Sequence, residues 1–132
     1  MIDSKCPFCA LPENRLLHTQ EGWNIIRDAY PVSPGHTLII PRRHINSFFE
    51  LNEDEFVSLF PLLCEIKEQL ENEYSPQGFN IGVNDGKAAG QTVMHMHVHL
   101  IPRYAGDVED PRGGIRLMFP DKARYWEGGN VT

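Results

Sequence analysis

The sequence predicts an α+β fold, an antiparallel meander sheet with one long helix. Two observations carry this. Short apolar runs recur at 17–30, 36–41, 79–84 and 90–103, each bounded by Gly, Pro, Asn or Asp. Between them lies one stretch with helical spacing, where Phe56, Leu59, Phe60, Leu63, Ile66, Lys67 and Leu70 recur at about 3.6 residues.

Residues Leu17 to Tyr30 form strands carrying Trp23, Ile25 and Ile26 and ending near Asp28, and Pro31-Val-Ser-Pro-Gly35 is a turn. His36-Thr-Leu-Ile-Ile-Pro41 is a strand apolar enough to be buried on both faces, closed by Arg42-Arg43-His44. Asn52 caps the helix, and the acids Glu53, Asp54 and Glu55 suit its positive end. Pro61 should kink or break the helix, the apolar stripe should face the core, and Cys64 should pack there as a small hydrophobe. After Ser75-Pro-Gln-Gly78 come a strand at Phe79 to Asn84 and a turn-rich loop from Asp85 to Gly90. Tyr104 to Gly114 is a polar loop, Ile115 to Phe119 a last short strand, and the tail a frayed end.

The run Gly90-Gln-Thr-Val-Met-His-Met-His-Val-His-Leu-Ile-Pro-Arg103 organises the chain. His95, His97 and His99 alternate with Met96, Val98 and Leu100. On a strand this places the imidazoles on one face, neighbours about 6.5–7 Å apart, and anchors the other face in a core. On a helix the same residues would scatter and make no site. Imidazoles in such a row bring no packing benefit, which leaves metal binding or nucleophilic and acid/base chemistry near neutral pH.

With 132 residues, the chain is long enough for one compact domain. A net charge of −6 offers no attraction to a nucleic-acid polymer or an anionic membrane, while a small phosphate ligand needs only a local positive site. No run approaches the length of a membrane span, and an odd three cysteines do not suit a disulfide framework, so a cytoplasmic protein is expected. Cys6-Pro-Phe-Cys9 is compatible with zinc, with a redox dithiol or with chance. Ala10-Leu-Pro-Glu13 is a poor start for the helix that a redox pair requires. Zinc needs two further ligands that this spacing does not identify.

His95-Met-His-Val-His-Leu-Ile101, with its lead-in Gly90-Gln91-Thr92-Val93, resembles the histidine triad (HIT) family of nucleotide-binding hydrolases and transferases. The resemblance implies a single HIT domain over 1–132, with short accessory helices, an N-terminal segment 1–16 that binds zinc and a C-terminal loop and tail over 104–132. It implies hydrolysis at the α-phosphate of a purine nucleoside phosphoramidate or dinucleoside polyphosphate, releasing a nucleoside monophosphate. By that likeness His97 is the nucleophile, and His99, Gln91 and Thr92 bond phosphate or the leaving group. His36 sits behind the triad. Asp28 bonds the ribose, Asn84 and Gly90 lie near sugar or phosphate, and Ile26 and Ile40 wall the base. Some branches hold a structural zinc with residues matching Cys6, Cys9, His44 and His95. No organic cofactor is implied, and members are commonly homodimers built on the long helix and a strand. Rival readings are a transferase or phosphorylase, whose branches tend to carry Gln at the place of His99; a zinc hydrolase using all three histidines as ligands; and a nucleotide-binding signalling module.

Overall fold

The structure is a computed structural model that describes residues 5–128; residues 1–4 of the N-terminal segment and 129–132 of the tail lie outside the described residues. Five strands form one antiparallel sheet: β1 (Leu16–Gln20), β2 (Trp23–Arg27), β3 (Thr37–Pro41), β4 (Gly78–Gly82) and β5 (Val98–Arg103). Their order is β1-β2-β3-β5-β4, so the meander of β1 to β3 is followed by a β4–β5 pair docked through β5. β5 is therefore an interior strand, with His99 paired to Leu38 on one side and Gly82 on the other.

Helix α1 (Glu53–Tyr74) begins as its sequence dictates. The Asn52 side chain accepts the Glu55 N–H at 2.8 Å, and the Glu55 carboxylate accepts the Asn52 N–H at 2.9 Å, a reciprocal cap. Of the kink or break expected at Pro61, the break does not occur, and the helix runs unbroken through it. Pro61 lies on the solvent side four residues after the exposed Val57, where water reaches the carbonyl that Pro61 leaves without a donor. The buried stripe is also rotated from the expected one: Leu59, Leu62, Ile66 and Leu70 face the sheet, while Phe56, Phe60 and Cys64 are exposed. Two apolar stripes run along this helix, and the sheet covers one of them.

The helix packs on the sheet face that carries Trp23, Ile25, Ile39, Val98 and Leu100. On the opposite face Ile26, Leu38 and Ile40 form a second cluster under Phe8, Leu11 and Leu16. β3 is thus buried on both faces, as its composition requires. The N-terminal segment leaves the β4–β5 side of this second face to the functional side chains.

Two further expectations are corrected. The histidine row is not all strand, because β5 starts at Val98 and residues 91–97 are irregular. There the chain turns away to meet the connection after β3, with the Met96 N–H bonded to the Ile45 carbonyl at 2.7 Å. The strand expected at Ile115 to Phe119 is instead a 3-10 turn, Gly114–Met118, followed by α2 (Pro120–Ala123). Gly113 and Gly114, at φ 95° and 48°, turn the chain immediately before this stretch. Among the described residues, no helix is long and apolar enough to cross a membrane.

Candidate active site and metal centre

Alternation survives the loss of strand geometry. Met96, Val98 and Leu100 enter the core under α1, and the three imidazoles emerge on the other side. Their ring nitrogens have different partners, which fixes their tautomers.

His97 approaches the carbonyl oxygen of His95 through Nδ1 at 2.9 Å. A carbonyl only accepts, so Nδ1 carries the proton and Nε2 keeps its lone pair. The ring is buried, with the Phe8 ring edge-on at 5.0 Å and the His99 ring at 5.1 Å. For His99 the logic runs through a relay. The Val32 N–H donates to His36 Nδ1 at 3.1 Å, so His36 donates from Nε2 to His99 Nδ1 at 2.9 Å. His99 Nε2 then carries a proton, a donor for an anionic oxygen. Burial first, then the neighbouring His97 and His36, hold His99 down at about 4, so it is neutral at pH 7. His36 is also lowered by burial, against the opposing pull of Asp28. Asp28 reaches the same corner: Oδ2 lies 3.5 Å from His36 Nε2, while Oδ1 accepts the Tyr30 N–H at 2.8 Å. The protonated Nε2 of His36 does not suit this His36–His99–Asp28 group for a metal.

Gln91 is buried, and its amide holds the loop. Nε2 donates to the Asn46 and Val93 carbonyls at 2.8 and 3.1 Å, and Oε1 accepts the Gly86 N–H at 2.8 Å. Gly86 and Gly90, at φ 93° and 92°, bracket a 3-10 turn over Lys87–Ala89. Thr92, Asn84 and Gly90 are exposed, and Asn84 borders the same cavity as His99.

His95 is wholly buried, and its Nε2–H donates to the Pro41 carbonyl at 2.7 Å, leaving the Nδ1 lone pair free. That lone pair faces Cys6 Sγ at 3.3 Å and Cys9 Sγ at 3.5 Å, while His44 Nδ1 lies 3.2 Å from Cys9 Sγ. The four donor atoms lie within 4.8 Å of one another. Tetrahedral zinc, with bonds of about 2.3 Å to sulfur and 2.0–2.1 Å to nitrogen, separates S and N ligands by about 3.5 Å, so this set fits. Burial pushes the Cys6 thiol up, and a bound cation would supply the charge that holds its thiolate.

Ile26 and Ile40, expected as walls for a base, are fully buried beneath Phe8 and Leu11, whose side chains take that surface. Phe8 carries no signal of this role in the sequence beyond its place between Cys6 and Cys9. Asp85 carries none either. Its carboxylate accepts from Ser47 Oγ at 3.0 Å and the Phe48 N–H at 2.7 Å, tying the Gly86–Gly90 loop to the 3-10 turn Phe48–Glu50 that precedes α1.

A sheet of this order with a buried imidazole row over a Cys₂His₂ set defines a histidine triad protein. A family model for the HIT domain matches residues 12–106, and the chain belongs to that family. A HIT family protein from Bacillus anthracis is similar in structure, with a TM-score of 0.73 and 34% identity, covering 79% of this chain and 77% of that one. A zinc-bound histidine triad family protein from Mycobacterium smegmatis has a TM-score of 0.71 and 32% identity, over 80% and 79% of the two chains. The asymmetrical bis(5'-nucleosyl)-tetraphosphatase of Schizosaccharomyces pombe is 40% identical over 80 residues, 61% of this chain and 44% of that protein.

Proposed function

We propose that the chain is a nucleotide hydrolase that acts at the α-phosphate of a purine nucleoside phosphoramidate or dinucleoside polyphosphate through a nucleotidyl-histidine intermediate on His97. One observation carries the reading. The bond from His97 Nδ1 to the His95 carbonyl leaves Nε2 unprotonated with its lone pair, and a neutral imidazole is a competent nucleophile at pH 7. Nε2 forms a bond to the α-phosphorus while the bond to the leaving group breaks. The leaving group departs with that electron pair and takes up a proton. Water then attacks phosphorus, the P–N bond to His97 breaks, and a nucleoside monophosphate is released with loss of the water's proton. His99 Nε2–H donates to a non-bridging oxygen, with Thr92 and Gly90 beside the phosphate and Gln91 holding their loop. His36 orients His99, Asp28 bonds the ribose, and Asn84 lies near sugar or phosphate.

The name of the fission-yeast relative supports a hydrolase. The ring directions count against a zinc hydrolase built on the triad, since His95 turns to the cysteines and His99 to His36. Cys6, Cys9, His44 and His95 would hold a structural zinc, which clamps the N-terminal segment to the catalytic stretch. We read 1–132 as one domain, with this clasp in 1–16 and a loop and tail in 104–132. Exposed Phe56, Val57 and Phe60 on α1, with Ile81 on the edge strand β4, suit a homodimer. With no disulfide among the described residues, the cysteines suit a cytoplasmic setting. Release of AMP from an adenosine phosphoramidate and from diadenosine tetraphosphate, followed by chromatography for the wild type and His97→Ala, tests the reading. Release by the wild type alone is expected, and equal release by both would overturn it.

A further inference from the structure

The Gly86–Gly90 loop has no apolar anchor of its own. Gly86, Lys87, Ala88, Ala89 and Gly90 are all exposed, and the loop is closed on itself by backbone. The Ala89 and Gln91 N–H groups bond the Gly86 carbonyl at 3.1 Å, and the Gly90 N–H bonds the Lys87 carbonyl at 3.0 Å. These bonds give the loop a shape but not a place.

Its place is set against the connection between β3 and α1. On the far side of the loop the Met96 N–H bonds the Ile45 carbonyl at 2.7 Å, and Gln91 Nε2 bonds the Asn46 carbonyl at 2.8 Å. On the near side a single side chain makes the contact. Asp85 Oδ2 accepts from Ser47 Oγ at 3.0 Å and Oδ1 accepts the Phe48 N–H at 2.7 Å, across 38 and 37 residues of chain. Ile45, Asn46 and Ser47-Phe48 therefore take Met96, Gln91 and Asp85 in reverse order, like a splint laid along the loop. The splint is itself stiff. Glu50 Oε1 accepts the Asn46 and Ser47 N–H groups at 3.2 and 2.9 Å, Ser47 Oγ accepts the Phe49 N–H at 3.1 Å, and the Phe48 ring packs on the core.

Both Asp85 oxygens accept from uncharged donors of the splint, and Asp85 does not line the cavity that reaches His99, although its neighbour Asn84 does. The carboxylate stands behind the loop, and whatever it does passes through the backbone on either side of it. We infer that Asp85 is a positioning residue for the transfer reaction: its carboxylate registers the 84–90 loop on the 45–48 connection and so sets where Asn84, Gly90 and Thr92 stand relative to His97 and His99. The inference rests on the reading of His97 as attacking an α-phosphate. An in-line displacement tolerates little misplacement, since an error of about 1 Å in a positioned group costs about 10²-fold in rate.

The test measures kcat and KM of the full chain for adenosine 5'-phosphoramidate. Asp85→Ala should lower kcat by about 10- to 10²-fold, with KM within about threefold of the wild type and circular dichroism unchanged. Asp85→Asn keeps an oxygen for the Phe48 N–H and should bring kcat back to within about fivefold of the wild type. Ser47→Ala removes one of the two bonds and should cost about three- to tenfold in kcat. Combined with Asp85→Ala it should cost nothing further, because the two residues act through one contact. Where Asp85→Ala does not fold, Ser47→Ala decides on the same split between kcat and KM. Wild-type kcat in both Asp85→Ala and Ser47→Ala, or a loss carried by KM, overturns the inference. An Asp85→Asn enzyme as slow as Asp85→Ala overturns it too, by giving the charge of the carboxylate a direct part. Each of these leaves the hydrolase reading standing, whereas a wild type that releases no AMP overturns both.

Discussion

His95 and His97 stand two residues apart, share one residue type and are both buried, yet the fold gives them opposite tasks. His95 donates from Nε2 to the Pro41 carbonyl and turns Nδ1 toward two thiols, so its lone pair belongs to a metal set. His97 donates from Nδ1 to the His95 carbonyl and keeps its lone pair on Nε2. The acceptor beside each ring, a backbone oxygen in both cases, decides which nitrogen keeps its lone pair and where that lone pair points. The His95 backbone joins the two halves, since the residue that faces the cysteines also holds His97, the proposed nucleophile.

Variants that break one half and spare the other sharpen this comparison. His97→Ala should lower hydrolysis by about 10⁴-fold or more, with circular dichroism and nucleotide binding unchanged; retained turnover would remove His97 from the chemistry. His99→Ala deletes the proposed donor to the phosphate oxygens and should lower kcat by about 10²–10³-fold, read from steady-state rates. Cys6→Ser with Cys9→Ser should abolish bound zinc by elemental analysis and lower Tm by roughly 5–15 °C, while changing kcat far less than His97→Ala does. Unchanged metal content in that double variant would dissolve the contrast between the halves.

The smallest effect is a pH dependence of stability. His99 is held at about 4 in the fold, against an ordinary value of 6.5. Between these values the unfolded chain binds a proton that the folded chain does not, so stability is complete above about 6.5 and declines as pH falls toward 4. Tm followed across that window should fall less steeply in His99→Asn than in the wild type. Parallel curves would place the depressed titration on another group.

What the sequence disclosed was governed by local physics, and what it concealed by distant partners. Asn52 and Glu55 cap α1 within four residues of chain, and β3 is apolar throughout because both its faces are covered. The histidine row was visible as a pattern, but its departure from the sheet was not, since that depends on the Met96 N–H reaching Ile45. The choice between the Leu59–Leu62–Ile66–Leu70 stripe and the Phe56–Phe60 stripe lies with the sheet that docks on α1. Phe8 and the 114–118 turn come from opposite ends of the chain to flank the imidazoles, and no periodicity within either segment announces such a meeting.

The most direct test of the account is intact-protein mass spectrometry on reaction mixtures with an adenosine phosphoramidate, quenched at short times, for the wild type, His97→Ala and a chelator-treated sample. A transient mass gain of one AMP is expected in the wild type, absent from His97→Ala and still formed after chelation. Absence of any adduct, with activity lost to the chelator, would contradict it and move the catalytic role to a metal held by the histidines.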